Sequence, residues 1–297
     1  MSKVHFIGIH KQWDLAGAHH GNQSVIETNR LAFVSSLPDI IIHPLAISDV
    51  KISRDSISKE CNCDRYCWQK KDAPWLRSTA QIGSFLGKGI DAYSLGLGGQ
   101  RGIDISPETD FSTTTETHLL PIVPDVAIQY RCGDNIDFSY VYGILPFHVF
   151  PNKIPPDTKY VYVLSDHPSR AAHSPYSGRC QTILQSLFDY LVNKLPNVTV
   201  VVKRGGNLFL DFIRLSKANI TICSASTFCL WPAVYRASTL KKIVYFPYTV
   251  LVAGADDNKT APDLGEYFKW IPEPLISRVG SYRPWTKVIP FLKGESE

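Results

Sequence analysis

Three short segments carry residue types and spacings suited to holding a phosphate. The first centres on Arg131, which follows the apolar run Val126 to Tyr130 and precedes Cys132, Gly133 and Asp134. A run of this kind predicts a strand whose C-terminal edge is the usual ligand edge of an α/β sheet, and an arginine there can fork onto two phosphate oxygens. A surface ion pair, for instance with Asp134, explains the same residue equally well. The second segment is Ser224, Ala225, Ser226, Thr227, Phe228, between the β-type run Ile220 to Cys223 and the helical-looking stretch Thr227 to Tyr235. Hydroxyls combined with the amides of a helix N-terminus make an anion site, while a plain N-cap needs no ligand. The third is Gly21, Asn22 and Gln23, preceded by His19 and His20, at the front of the first predicted helix. Glycine admits close backbone approach there, and the amides offer neutral hydrogen bonds to a sugar or phosphate; a simple turn and cap is the alternative.

Other nucleotide-binding patterns fail on spacing. In Gly96, Leu97, Gly98, Gly99, Gln100, Arg101, Gly102 the third glycine of a dinucleotide loop falls one residue late, and no clear strand precedes it. Gly87 and Lys88 lack the spacing and the following Ser or Thr of a P-loop, and neither HExxH nor GxSxG occurs. No two aspartates stand at DxD spacing, the pair with which many sugar transferases hold a divalent metal against a diphosphate. The expectation is a site without metal or cofactor, where side chains and backbone amides meet the phosphate charge. Cys61, Cys63 and Cys67 are close enough to invite zinc, but a structural site needs four ligands, and loop thiols or one disulfide fit better.

These segments need a scaffold, and the second half of the chain predicts one. Val126 to Tyr130, Tyr160 to Leu164, Val198 to Val202, Ile220 to Cys223 and Ile243 to Phe246 alternate with helical patterns, the mark of a parallel α/β sheet. Ile183, Leu184, Leu187, Phe188, Leu191, Val192 and Leu195 give one apolar helical face, and Leu208 to Ala218 gives another. In the first half, Val4 to Ile9 reads as a strand, Ser24 to Ser36 as a helix and Ile40 to Ile42 as a strand. Residues 51–117 read as a large irregular region with one helix near Leu76 to Leu86. With the boundary near Pro121 to Pro124, the prediction is α/β, two Rossmann-like halves facing a cleft: an acceptor-side domain over 1–122 and a nucleotide-sugar domain over 123–297, whose last residues could pack back on the first half.

Composition sets bounds. The 297 residues, 44% hydrophobic and 20% charged, suit a folded globular protein, and the net charge of +4 comes from scattered basic residues. That scatter argues against a nucleic-acid partner. No stretch approaches the ~20 apolar residues of a membrane span. An odd count of seven cysteines points mildly to a reducing compartment. Sequons for N-glycosylation begin at Asn22, Asn197, Asn219 and Asn258, a motif too short to establish secretion.

Taken in order, the three segments resemble the fucosyltransferase-like superfamily of GT-B type glycosyltransferases, and most of the chain is covered. The GxGNQ-like opening of that family is similar to Gly17, Ala18, His19, His20, Gly21, Asn22, Gln23; its HxRxGD segment to Gln129, Tyr130, Arg131, Cys132, Gly133, Asp134; and its late segment to Asp211, Leu215, Ala218, Ser224, Ser226, Thr227, Phe228 and Trp231. The closest likeness is to algal and algal-virus type members. The resemblance implies a nucleotide-diphosphate sugar donor, with Arg131 on the diphosphate, Ser226 and Thr227 on phosphate, and Asp211 and Phe228 near the nucleoside. Gly21, Asn22, Lys203 and Ser224 complete the expected donor-binding set.

Gln129 stands where the family has its histidine, and Cys132 where several members have a second arginine, so GDP-fucose, UDP-linked pentoses and other deoxysugars all stay open. The implied reaction is metal-independent inversion, in which a glycan hydroxyl attacks the anomeric carbon and Arg131 meets the leaving charge. Asp72, Asp14 and His20 are the candidate general bases; Asp72 is preferred because Trp75 beside it offers a face for a sugar ring. A degenerate sugar- or nucleotide-sugar-binding module is the rival reading, and a Cys-His hydrolase using Cys132 and His20 has no supporting motif. An enzyme of this kind would work in the cytoplasm as the chain is given, or in the Golgi lumen with an anchor removed.

Overall fold

The five apolar runs after Asp125 become neighbouring parallel strands, because each is too short for a buried helix and is apolar on both faces. The computed structural model describes residues 109–115, 120–132, 143–166, 177–205, 208–248, 264–273, 275–276 and 285–295. The strands are β1 (Thr109–Ser112), β2 (Val126–Gln129), β3 (Tyr160–Ser165), β4 (Thr199–Arg204), β5 (Ile220–Ile222), β6 (Val244–Pro247) and β7 (Phe268–Ile271). They form one seven-stranded sheet in the order β1-β4-β3-β2-β5-β6-β7. All neighbours are parallel except the edge strand β1, which pairs antiparallel with β4. The protein is therefore of the α/β class.

Among the described residues four α-helices accompany the sheet: α1 (Ser177–Lys194), α2 (Leu208–Lys217), α3 (Thr227–Tyr235) and α4 (Val288–Lys293). Successive strand residues face opposite sides, so the sheet has two cores. On one side Val126, Ile128, Val161, Val163, Val200 and Val202 meet Ile183, Leu184, Leu187 and Leu191 of α1, together with Val288 and Leu292 of α4. On the other, Ala127, Tyr162, Leu164 and Val201 meet Phe212 and Leu215 of α2 and Leu230, Ala233 and Val234 of α3.

Chain direction decides which helix lies where. From β2 the chain moves outward through β3 to β4, then crosses back to β5 and continues to β6. Crossovers between parallel strands keep one hand, so reversing direction puts α1 on one face and α2 and α3 on the other. The point of reversal lies between β2 and β5.

The opposite end of the sheet is tied by polar groups. Asp125 Oδ2 accepts the amides of Lys159 and Tyr160 at 2.9 and 3.0 Å, joining the starts of β2 and β3. Arg236, fully buried, donates to the backbone carbonyls of Ser216, Ala218, Asn219 and Ile243 at 3.0, 2.5, 2.8 and 2.9 Å. It thereby caps the C-terminal end of α2, whose last carbonyls have no helical partner and whose dipole favours a cation. Burial pulls its pKa down to about 9, which still leaves it protonated at neutral pH.

The Pro121 to Pro124 segment is held against this sheet: the Tyr162 hydroxyl donates to the Pro121 carbonyl at 2.6 Å, and Leu120 is buried. Strand β1 precedes the 122/123 boundary in sequence and arises within the stretch predicted as irregular, yet it is the sheet's edge. Helix α4 packs on the α1 side of the sheet. The strands at Val4 to Ile9 and Ile40 to Ile42, and the helices at Ser24 to Ser36 and Leu76 to Leu86, lie outside the described residues. Among the described residues no helix is long and apolar enough to cross a membrane.

Replacing Arg236 with methionine removes the charge and leaves buried carbonyls without donors, so it should cost about 3 kcal/mol or more of unfolding free energy. Urea unfolding measures this directly; a loss below about 1 kcal/mol would show that the guanidinium does not hold α2 to β6.

Candidate functional site

In open α/β sheets the crevice at the strand C-termini, where chain direction reverses, is the usual ligand site. Here that position is flanked by Arg131, two residues beyond β2, and Ser224, two residues beyond β5. The two ends are joined. Ser224 N donates to the Gln129 carbonyl at 2.9 Å, continuing the ladder one step past β5. The Ser224 hydroxyl donates to Gln129 Oε1 at 2.5 Å and accepts the Arg131 amide at 3.0 Å. A serine hydroxyl can donate and accept at once through a single oxygen, which an ionised carboxylate, having no donor, cannot.

Gln129 and Ser224 are both buried, so the side chain standing where the resembled family has histidine works inside the scaffold as a strut. Ser224, predicted to touch phosphate, acts in the same way: its hydroxyl is engaged with the neighbouring strand. Ser226 takes the other role open to that turn. It is the N-cap of α3, with extended backbone and an oxygen that accepts the Phe228 amide at 3.2 Å. Helix α3 consequently begins at the ligand edge with the positive end of its dipole there, while the amides of Phe228 and Cys229 are donated to Ser226 Oγ and to the Ser226 carbonyl.

Arg131 is held from the side as well. Its Nε lies 3.8 Å from Asp166 Oδ2, at the end of β3, with side chains 16% and 14% exposed. Below them the Ser165 hydroxyl donates to the Tyr130 carbonyl at 2.7 Å, and Arg204, the last residue of β4, donates from Nε to the Asp166 carbonyl at 3.0 Å and from Nη1 to Gln181 Oε1. The edge thus presents Arg204, Asp166, Arg131 and the Ser226 turn on four successive strand ends. Tyr130, one residue before Arg131, is buried with its hydroxyl donated to the Leu145 carbonyl, and burial raises its pKa well above the usual value.

The remaining expected residues separate. Phe228 sits in the first turn of α3 with its ring 5.9 Å from Phe212, edge to face, so the middle of α2 lies beside the start of α3. Asp211, in the first turn of α2, is the partner of the fully buried Arg214 at 2.6 Å. Lys203 is buried on the opposite face from Arg204, its Nζ 5.8 Å from the Tyr162 ring. Thr227 opens α3. Asp72, Asp14, His20, Gly21 and Asn22 lie outside the described residues.

Arg204 and Asp166 were not among the sequence candidates; each stands two residues past its apolar run, where Arg131 directly follows its own. The cysteines also differ from expectation. Cys132 bonds to Cys180, and Cys223 to Cys229. An odd total does not prevent four from pairing, so parity carried no information about compartment. A disulfide-bonded Cys132 cannot serve as a hydrolase nucleophile. Comparison with protein-family models, with curated proteins and with solved structures finds no match to this chain.

The strut is testable by a double-mutant cycle. Ser224→Ala leaves a buried Gln129 oxygen and the Arg131 amide without their partner and should cost about 1–3 kcal/mol, while Gln129→Leu combined with Ser224→Ala should cost less than the sum of the two. Strictly additive losses would show that the two side chains act independently.

Proposed function

We propose that the protein is a metal-independent, inverting glycosyltransferase that moves a sugar from a nucleotide-diphosphate donor to a glycan hydroxyl. The observation that carries this reading is the junction of Arg131 with the Ser224–Phe228 turn at the topological switch point: a guanidinium and a helix N-terminus share one edge, held there by the Ser224–Gln129 strut. Two such groups suit a diphosphate, whose two phosphoryl units need donors from two directions. The order of segments shared with fucosyltransferase-like enzymes adds support, and makes residues 1–122 the second, acceptor-side Rossmann-like half of a GT-B arrangement. The sugar is fucose, another deoxysugar or a pentose such as xylose, and the donor nucleotide is GDP or UDP.

In the proposed reaction the acceptor oxygen bonds to the anomeric carbon as the bond from that carbon to the diphosphate oxygen breaks on the opposite face. The acceptor proton passes to a base on the N-terminal half, Asp72 by preference and otherwise Asp14 or His20. Charge developing on the diphosphate is met by Arg131 and the positive end of the α3 dipole, fixed in place before the reaction.

A thermal-shift screen against GDP, UDP, CDP and their sugars tests donor binding, since a ligand bound only by the folded chain raises its melting temperature. One nucleotide class should raise it, and Arg131→Ala should weaken that nucleotide by about tenfold or more, roughly 1.4 kcal/mol. Release of free nucleotide in the presence of glycan acceptors, lost in Asp72→Asn while donor affinity is retained, would mark turnover. Binding with no release from any donor and acceptor pair would leave a sugar-nucleotide-binding module instead; no binding at all would overturn the donor site.

A further inference from the structure

Both segments of the candidate site end in a disulfide. Cys223 and Cys229 are bonded across a sequence separation of 6, so the covalent ring encloses Ser224, Ala225, Ser226, Thr227 and Phe228, the whole of the proposed phosphate turn. Cys132, the residue after Arg131, is bonded to Cys180 in the first turn of α1. All four cysteines are fully buried. The two rings meet at the strut, because Ser224 inside the first accepts the amide of Arg131 beside the second.

Without these bonds the turn at Ser224–Phe228 would depend on one N-cap and the strut, and the chain after Arg131 would have no covalent tie to α1. A crosslink acts chiefly by removing alternative conformations from the chain, and both crosslinks act on the phosphate-facing segments. The chemistry around Cys180 suits bond formation. Arg204 Nη2 lies 3.4 Å from its sulfur, and the N-terminus of α1 is close by, so an anionic sulfur passing through exchange at this position meets two sources of positive charge.

We propose that the phosphate site is complete only in the oxidised chain: the two disulfides form during folding in an oxidising compartment and lock Arg131 and the Ser224–Phe228 turn into one rigid edge. The proposal rests on reading these segments as the donor site. Each bond forms by two exchanges with a disulfide oxidant such as oxidised glutathione. One cysteine thiolate attacks the oxidant and releases one thiol; the second cysteine thiolate attacks the mixed disulfide, closing the protein S–S bond and releasing the other thiol. The oxidant takes up two electrons, and the two protein thiol protons end on the released thiols. Burial then shields both bonds from reductant as long as the native core stays closed.

The test folds the full chain in parallel with oxidised and reduced glutathione and with excess reductant. Peptide mapping after alkylation in denaturant should find the 132–180 and 223–229 pairs only in the oxidised sample. Backbone hydrogen exchange over residues 223–229 and 130–132 should be slowed by about tenfold or more relative to the reduced chain, and GDP or UDP should raise the melting temperature of the oxidised form alone. Cys223→Ser with Cys229→Ser, and separately Cys132→Ser with Cys180→Ser, should each abolish the nucleotide response; the reduced wild-type chain supplies the comparison if either pair fails to fold. Free thiols throughout the oxidised sample, different pairs, or equal exchange and equal nucleotide affinity in the two forms would each overturn the proposal. Correct disulfides with slowed exchange but no nucleotide binding would uphold the lock and overturn the donor reading.

Discussion

One serine oxygen sets the geometry of the ligand edge. Ser224 donates to Gln129 and accepts from the amide of Arg131, so the ends of β2 and β5 are fixed to each other where the chain reverses direction. Any open parallel sheet with such a reversal leaves a crevice there, because the loops from the two central strands turn to opposite faces. In this chain the crevice is bridged beneath by hydrogen bonds, and the groups above it are an arginine and a helix cap. Arg131 therefore projects from a joint, with Asp166 3.8 Å from its Nε on one side and the α3 turn on the other.

The buried cations show how the surrounding scaffold supports that edge. Arg236 closes the far end of α2, Arg214 is paired with Asp211 at its near end, and Arg204 links the ends of β3 and β4 to α1. Each guanidinium has five donors in a rigid fork, so each can hold several backbone segments in one geometry. Helix α2 is consequently fixed at its C-terminal end, and Phe212 in its body packs edge to face on Phe228 at the start of α3. The cost of burying those charges is offset only while all the acceptors stay in place, which ties the edge to the integrity of the whole sheet.

Much of this was legible in the chain. The runs at Val126, Tyr160, Val198, Ile220 and Ile243 fell within about two residues of strand ends, since buried parallel strands are short and nearly all apolar. The span of α3 was readable from Ser226 and the apolar stretch that follows. Strand β1 was hidden: Thr-Asp-Phe-Ser has one apolar residue, and its pairing with β4 comes from residues some 90 positions away. Distance in sequence also concealed the strut, whose partners are separated by 95 residues, and the tie from Arg204 to Asp166. Hydroxyl-bearing turns advertise ligand contact and internal bracing with the same residues, so Ser224 and Ser226 could be assigned to different tasks only once their partners were visible.

On the proposed function, the joint between β2 and β5 holds a diphosphate. A crystal structure of the oxidised chain with GDP or UDP, whichever it binds, tests that most directly. Phosphate oxygens should lie within hydrogen-bonding distance of the Arg131 guanidinium and against the N-terminus of α3. A diphosphate bound elsewhere on the protein, with that edge unchanged, would contradict it.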